Sequence, residues 1–307
     1  MSGLPSIAVL GPGGVGGLLA AALARAGAQV VVVAREVTAE TIARAGIAVQ
    51  SSVLGDFTAR PAAVARLSEP VDALIVATKA AALDDALARV ETDAPRLVIP
   101  LLNGFDHMAL LRARFGARVA AGTIRVQADR LPGPPTRVVQ SSGFLSVELA
   151  SGDPAVRERL EALAALLERA GVTARVRDDE ARILWGKLVR LNALACTTAA
   201  YDATFGAIRA DPARWDELER CVREGAAVAG AEGARVDPQV VFGEFEVIHD
   251  GFGTSMQRDV AAGRAPELDA IAGAVLRAGA RHGLACPTIA ALAVRVAERA
   301  GVPAPTV

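Results

Sequence analysis

The basic side chains of this 307-residue chain are almost all arginines. Of its 33 lysines and arginines, 31 are arginines, and the two lysines are Lys79 and Lys187. A guanidinium keeps its proton up to a pH of roughly 12, so it cannot act as a proton donor near neutrality. An ammonium group is compact, and burial can lower its pKa to about 7–8 in a catalytic site. The two lysines are therefore the first candidates for chemistry.

Three rare polar residues lie in contexts that favour a function. Lys79 follows the apolar run ALIVAT, and Asn103 follows the run RLVIPLL and precedes a glycine. If these runs are parallel strands, both residues lie at carboxyl ends, where open α/β sheets bind ligands. Lys187 lies in ILWGKLVRLNAL, a helical pattern that is apolar on nearly every side. The ordinary alternatives are a lysine that extends from an apolar helix to the surface, and an Asn-Gly turn without function.

A glycine-rich loop lies between an apolar run and a helical pattern near the start of the chain. The segment SIAVLGPGGVGGLLAAALARAGAQVVVVAR predicts a strand, a loop, a helix and a second buried strand. Its G-x-G-x-x-G spacing predicts a dinucleotide site, with the pyrophosphate on the helix N-terminus. The alternative is a glycine-rich turn with no ligand. The loop residues are Gly11, Pro12, Gly13, Gly14, Val15 and Gly16.

The residues after the second strand bear on the choice of cofactor. An acidic side chain there suits the ribose 2′-hydroxyl of NAD, whereas an arginine suits the 2′-phosphate of NADP. This chain has Arg35 followed by Glu36. Because a guanidinium can form a forked pair with a phosphate, we favour NADP(H). The alternative is that Arg35 is a surface charge and Glu36 binds the ribose.

The order of predicted elements indicates an α/β fold. Strand and helix patterns alternate over the first half, which predicts a Rossmann-type, doubly wound parallel sheet in a cofactor-binding domain of residues 1–177. An all-helical C-terminal domain of residues 178–307 is expected to bind the substrate. Its helices are predicted at residues 179–200, 212–232, 237–262, 267–283 and 287–300.

Composition excludes several other classes. A net charge of −1 gives no electrostatic footprint for nucleic acid. Three scattered cysteines without C-x-x-C spacing indicate small buried residues in a reducing compartment, and the three histidines have no metal-ligand spacing. The uncharged stretch of residues 1–24 lacks a basic n-region and is interrupted by proline and glycines. We therefore expect a cytoplasmic protein without a metal or membrane partner, and the alanine- and leucine-rich helical region could form a homodimer.

Six features in order resemble the ketopantoate reductase (2-dehydropantoate 2-reductase) family, nearly end to end. These features are the glycine loop, Arg35, ATKA with Lys79, NG at Asn103, LWGKL with Lys187, and TSMQRD…ELDAIAG with Ser255 and Glu267. Each motif is weak alone, but six at family-like spacing are specific together. The resemblance implies the same two-domain fold and NADPH-dependent reduction of a 2-oxo acid to a 2-hydroxy acid.

The resemblance also implies residue roles. Lys187 matches the general acid that protonates the carbonyl oxygen, and Glu267 matches an acid near Lys187 and the nicotinamide ribose. Asn103 would touch both cofactor and substrate. The remaining matches are cofactor contacts at Lys79 and Ala128 and substrate contacts at Thr254, Ser255 and Asp202.

The chain departs from the family where the substrate hydroxyl is expected. Family asparagines four and eight residues after the catalytic lysine are Leu191 and Ala195 here, and a further substrate-side asparagine is Phe252. Either the pocket takes a different, more apolar 2-oxo acid, or ketopantoate is bound through other groups such as Asp202 or Arg190. We place ketopantoate ahead. The rival classes are a hydroxyacid or imine dehydrogenase of similar build, and a non-catalytic NADP(H)-binding regulator.

Overall fold

A computed structural model describes residues 5–92 and 95–306. The chain forms two compact units. The first comprises the described residues of 1–102 and 107–183, and the second comprises residues 103–106 and the described residues of 184–307. The short segment 103–106 therefore belongs to the second unit although the first unit flanks it in sequence.

Every strand found in the described residues lies in the first unit. In chain order they are β1 Ser6–Leu10, β2 Gln29–Val33, β3 Ile47–Ser51, β4 Phe57–Ala59, β5 Ala62–Val64, β6 Ala73–Val76, β7 Leu97–Pro100, β8 Ala121–Arg125, β9 Ala128–Leu131, β10 Thr136–Gln140, β11 Ser146–Ala150 and β12 Thr173–Arg177.

The central sheet confirms the predicted parallel, Rossmann-type fold. Its order is β5-β2-β1-β6-β7, and every neighbouring pair is parallel. Strands β6 and β7 are buried at every residue, as expected for continuous apolar runs between covering layers. The carboxyl ends of β1, β2 and β6 lead directly into the glycine loop, Arg35 and Lys79.

Two further sheets complete the unit, and the sequence patterns did not predict the first of them. Strands β4-β3-β10-β9 form a mixed sheet, and β12-β11-β8 form a three-stranded one. Strands β3, β4, β9 and β10 are three to five residues long, and each includes positions that are not buried. Such short segments give a weak periodic signal, so the single doubly wound sheet that we expected describes only part of this unit.

Helices connect the strands and form nearly all of the second unit. In chain order they are α1 Gly14–Arg25, α2 Glu36–Ala45, α3 Leu83–Leu87, α4 His107–Phe115, α5 Pro154–Arg169, α6 Glu180–Tyr201, α7 Phe205–Arg209, α8 Pro212–Ala231, α9 Pro238–Glu246, α10 Ser255–Ala261, α11 Ala274–Arg281 and α12 Pro287–Ala300. A π-helical turn, Asp269–Gly273, precedes α11.

The prediction of one helix over residues 237–262 was wrong. The chain forms α9 and α10 instead, and residues 247–254 separate them. Thr254 starts α10 because its side chain accepts a hydrogen bond from the Gln257 amide, and Gly251 and Gly253 disfavour a continuous helix. The carbonyl of Phe252 accepts a hydrogen bond from the Phe205 amide, which fixes the connecting segment in a non-helical path.

The cysteines are buried free thiols, as predicted. Cys196, Cys221 and Cys286 all lie in the helical unit, and burial raises the pKa of the Cys196 thiol to about 12. In the parts of the chain that the structure describes, no helix has both the length and the apolar composition needed to cross a membrane.

Candidate active site

The glycine loop joins β1 to α1 and leaves one face open to a ligand. Gly11 has a φ of +89°, which allows the turn out of β1, and its amide donates to the Val33 carbonyl of β2. A Cβ atom at Gly13 would meet nothing within 4 Å, whereas one at Gly14 would lie 2.0 Å from the Ala128 carbonyl. The first free amides of α1 thus lie beside open space at Gly13, where a pyrophosphate fits. The predicted residue Ala128 lies against this loop.

Arg130 lies beside the loop, and the charge of Arg35 acts on it. The Arg130 guanidinium, on β9, donates to the Pro12 carbonyl at 3.4 Å. Burial lowers the pKa of Arg130, and the positive charge of Arg35 lowers it further. Two guanidiniums that repel each other next to an anion-binding loop form a site suited to a doubly charged phosphate. Arg130 was not predicted as a site residue.

Glu36, the acid that could have selected NAD, has another partner. Its carboxylate pairs with Arg89 at 3.1 Å, and Arg89 also donates to the Ala65 carbonyl. A hydrogen bond from its own backbone amide, followed by the interaction with Arg89, lowers the pKa of Glu36. The Glu36 carboxylate is therefore already engaged by a neighbouring cation.

The end of β6 brings two more groups to the loop's side of the sheet. The buried Oγ1 atom of Thr78 has no hydrogen-bond partner among the residues described, and a Cβ atom at Gly11 would lie 2.6 Å from the Thr78 methyl. A buried hydroxyl without a partner is unfavourable unless a ligand or water satisfies it. Lys79 follows it, exposed, at the start of a short 3₁₀ turn. These groups fit a dinucleotide at this edge.

In the second unit, Asn103 lies between Lys187 and Glu267. Lys187 Nζ donates to Asn103 Oδ1 at 3.0 Å, and Asn103 Nδ2 donates to Glu267 Oε2 at 2.9 Å. The amide oxygen accepts a hydrogen bond and the amide nitrogen donates one. These two partners therefore fix which end of the Asn103 carboxamide is the oxygen and which is the nitrogen. The structure thus brings together Lys187 and Asn103, which their scarcity made conspicuous, and Glu267, which the family resemblance suggested, although they lie far apart along the chain.

The residues that follow Asn103 dock onto the same unit. Gly104 has a φ of +74°, and a Cβ atom there would lie 2.1 Å from the Ala270 carbonyl in the π-helical turn. Phe105 packs on Trp185 with ring centroids 4.9 Å apart. Trp185 lies two residues before Lys187, so this contact ties the segment to the helix that carries the lysine.

Replacement of Gly104 by alanine is expected to destabilise the protein more than the same change at Gly116. Both glycines have positive φ, which costs an alanine roughly 1–2 kcal/mol, but a Cβ at Gly116 would meet nothing within 4 Å. Only Gly104→Ala adds an overlap with backbone. Thermal unfolding of the two variants measures the difference, and an equal loss of Tm would contradict the close approach to Ala270.

Two of the departures from the family pattern, Leu191 and Ala195, lie along α6. Leu191 and Ala195 are four and eight residues after Lys187, which places them about 40° and 80° from it around the helix axis. Asn192 is on another face, fully buried, and bonds to Cys221 and Cys196. It is therefore part of the core. Arg190 pairs with Glu244 at 3.3 Å.

Thr254 and Asp202 form their described contacts with residues other than Lys187, and Ser255 follows Thr254 as the first residue of α10. The Thr254 hydroxyl bonds to Thr198 at 2.8 Å, and Thr198 is 11 residues, or about 16 Å along the axis, from Lys187. Asp202 lies past the end of α6, exposed, with a φ of +47°, and pairs with Arg299 at 3.1 Å. Substrate contacts by these three residues stay predictions.

Comparisons with known proteins agree with this architecture. The family model described as "Ketopantoate reductase PanE/ApbA" matches residues 7–152, and the corresponding C-terminal model matches residues 179–300. The chain is 33% identical to the 2-dehydropantoate 2-reductase of Caulobacter vibrioides, over 92% of this chain and 95% of that protein.

Solved structures give the same result. The 2-dehydropantoate 2-reductase of Geobacter metallireducens has a TM-score of 0.86 and 28% identity, covering 95% of this chain and 99% of that one. A D-mandelate dehydrogenase, solved with NADH and anilino(oxo)acetate, shares the fold at a TM-score of 0.86 and 23% identity, covering 96% and 98%. The chain therefore belongs to the ketopantoate reductase family of nicotinamide-dependent oxidoreductases.

Proposed function

We propose that this protein uses NADPH to reduce a 2-oxo acid to the 2-hydroxy acid, that the substrate is 2-dehydropantoate, and that Lys187 is the general acid. The observation that carries this proposal is the chain of contacts from Lys187 Nζ through the Asn103 amide to the Glu267 carboxylate. These hydrogen bonds orient the Lys187 ammonium, and the reaction of this family needs a proton donor.

The reduction needs a hydride at the carbonyl carbon and a proton at its oxygen. The reduced nicotinamide supplies the hydride when it is bound. As the carbonyl π bond breaks, negative charge develops on oxygen, and the Lys187 ammonium stabilises it and then donates its proton. The resulting amine regains a proton from solvent. Asn103 holds the ammonium in place, and the Glu267 carboxylate accepts a hydrogen bond from the other end of the same amide.

The arginine pair supports NADPH as the reductant. Arg35 and Arg130 place two positive charges beside the glycine loop, and Glu36 is engaged by Arg89. A 2′-phosphate would relieve the repulsion between the guanidiniums, whereas a ribose 2′-hydroxyl would not. We propose in addition that residues 1–177 bind the cofactor and that residues 178–307 carry out catalysis, with Asn103 as a contribution from the first range.

A second candidate is the reduction of a more apolar 2-oxo acid. It is favoured by Leu191 and Ala195, which follow Lys187 on α6, and by the half-buried Phe252 ring, which packs on His249. None of these three side chains can hydrogen-bond a substrate hydroxyl. Since such bonds strongly favour a hydroxylated substrate over an analogue that lacks the group, their loss would weaken selection for ketopantoate.

The deciding experiment follows NADPH oxidation with ketopantoate beside 2-oxo acids that have alkyl or aryl side chains and no hydroxyl. We expect the highest kcat/KM with ketopantoate. A higher kcat/KM with an apolar acid would replace the first candidate by the second. Turnover of none of them would contradict both.

A further inference from the structure

Arg277, on α11, binds two carboxylates from different parts of the second unit. Its Nη2 donates to Asp106 Oδ2 at 2.7 Å, and its Nη1 donates to Asp269 Oδ1 at 2.7 Å. Nη2 also donates to the Asp269 backbone carbonyl at 3.2 Å. The Arg277 side chain is 29% exposed, and its hydrogen bonds to Asp269 and Asp106 raise its pKa. This is a forked interaction, with the geometric specificity that arginine provides.

Both carboxylates belong to segments that carry candidate catalytic residues. Asp106 is three residues after Asn103, and Asp269 is two residues after Glu267. Asn103 and Glu267 are hydrogen-bonded to each other. The guanidinium of Arg277 therefore ties together the two backbone segments on which that hydrogen bond depends.

Asp269 is also the first residue of the π-helical turn Asp269–Gly273. Single π-helical turns inside helices are rare and frequently lie at functional sites. Here the Ala270 carbonyl, which belongs to this turn, is the group that lies closest to Gly104. By accepting from Arg277 through both its carboxylate and its carbonyl, Asp269 fixes the start of the turn against which residue 104 packs.

An ordinary ion pair lies one helical turn away and provides a comparison. Arg281, also on α11, pairs with Glu232 at 3.0 Å, and its side chain is 53% exposed. Both arginines form partly exposed pairs, since Glu232 is 22% exposed and Asp106 and Asp269 are 46% and 69% exposed. In the hydrogen bonds described, Arg281 contacts neither the Asn103 segment nor the π-helical turn. It is therefore a control with the same side chain on the same helix but without contacts to the candidate catalytic segments.

We propose that Arg277 is a positioning residue for the reaction: by holding Asp106 and Asp269, it keeps Asn103 in line between Lys187 and Glu267. The inference rests on the proposed role of Lys187 as proton donor. It predicts that loss of the guanidinium loosens the Asn103 amide and lowers kcat, because the ammonium loses its direction. A misplacement of about 1 Å can cost on the order of 100-fold in rate.

The test uses the scarcity of asparagine in this chain. Because Asn103 and Asn192 are the two asparagines, labelling asparagine side-chain amides with ¹⁵N gives two carboxamide signals. Asn192, buried between Cys221 and Cys196, serves as the internal reference. In Arg277→Met, we expect the Asn103 signal to shift or broaden, the Asn192 signal to stay, and kcat to fall about 10- to 100-fold with KM for NADPH unchanged.

Two further variants sharpen the test. Arg277→Lys keeps the charge but not the forked geometry, so its effects should be intermediate. Arg281→Met should leave both signals and the activity at wild-type values. Should Arg277→Met fail to fold, Asp106→Asn removes one partner with almost no change of shape, and the same Asn103 shift is expected.

The outcomes separate this inference from the function on which it rests. An Asn103 signal that stays at its wild-type position in Arg277→Met, or in Asp106→Asn, overturns the positioning role whatever the activity does. An equal effect of Arg281→Met also overturns it. A shifted Asn103 signal with unchanged kcat supports the tie between Arg277 and Asn103 but contradicts the catalytic use of the Lys187–Asn103 pair.

Discussion

Replacement of Lys187 by alanine is expected to lower kcat by about two to four orders of magnitude, the usual contribution of a positioned general acid. The variant should still bind NADPH, because the glycine loop, Arg35 and Arg130 lie in the other unit and are unchanged. Steady-state oxidation of NADPH measures the first effect, and cofactor fluorescence measures the second. A kcat within tenfold of wild type would contradict the role of Lys187.

Arginine at the same position separates charge from proton donation. Lys187→Arg keeps a positive side chain that can polarise a carbonyl, but a guanidinium does not give up its proton near neutrality. We therefore expect Lys187→Arg to remain strongly impaired. Full activity in this variant would mean that charge alone suffices, and the general-acid proposal would be abandoned.

The other lysine provides the matched control. Lys79 is predicted to contact the cofactor, so Lys79→Ala should change KM for NADPH with little effect on kcat. Steady-state kinetics of the two variants measure the contrast, because Lys79→Ala should keep kcat near the wild-type value and Lys187→Ala should not.

Removal of the arginine pair is expected to abolish the preference for NADPH. Each of Arg35→Ala and Arg130→Ala should lower kcat/KM for NADPH by about 10- to 100-fold, since a hydrogen bond to a charged group contributes about 1.5–3 kcal/mol. The kcat/KM for NADH should change little, because that cofactor lacks the 2′-phosphate. Initial rates with both cofactors give the ratio directly.

Arg137 is a suitable control for the pair. It lies on β10, where Val138 is the partner of Arg130 in the neighbouring strand. Because successive side chains of a strand point to opposite faces, Arg137 lies on the face opposite Arg130. Arg137→Ala should leave kcat/KM unchanged for both NADPH and NADH. A wild-type enzyme that prefers NADH, or equal losses with both cofactors in Arg130→Ala, would contradict the phosphate site.

The parts of the site that the sequence predicted are those with rare residue types or fixed spacing. The glycine loop has a short, regular pattern, and Lys187 and Asn103 are conspicuous because lysine and asparagine are so scarce. Glu267 was identified through the resemblance to the family. The contact of these three residues depends on a segment that joins the second unit, which no local pattern indicates.

Other residues gave no usable signal. Arg130 is one of 31 arginines, and nothing in its local sequence distinguishes it. Only the position of β9 beside the glycine loop identifies it as a candidate site residue. Arg277 lies in a helical pattern where a charged residue normally faces solvent. The break between α9 and α10 did have a signal, the glycines of HDGFGTS, which the apolar periodicity on both sides outweighed.

The membership of residues 103–106 in the second unit has a consequence during synthesis. Glu267, the partner of Asn103, is 164 residues further along the chain. At roughly 5–20 residues per second, a ribosome needs on the order of 10 to 30 s to make that stretch. The Asn103 segment therefore leaves the ribosome well before its binding surface exists. A C-terminal fragment that starts at residue 184 would lack this segment and with it the amide that orients Lys187.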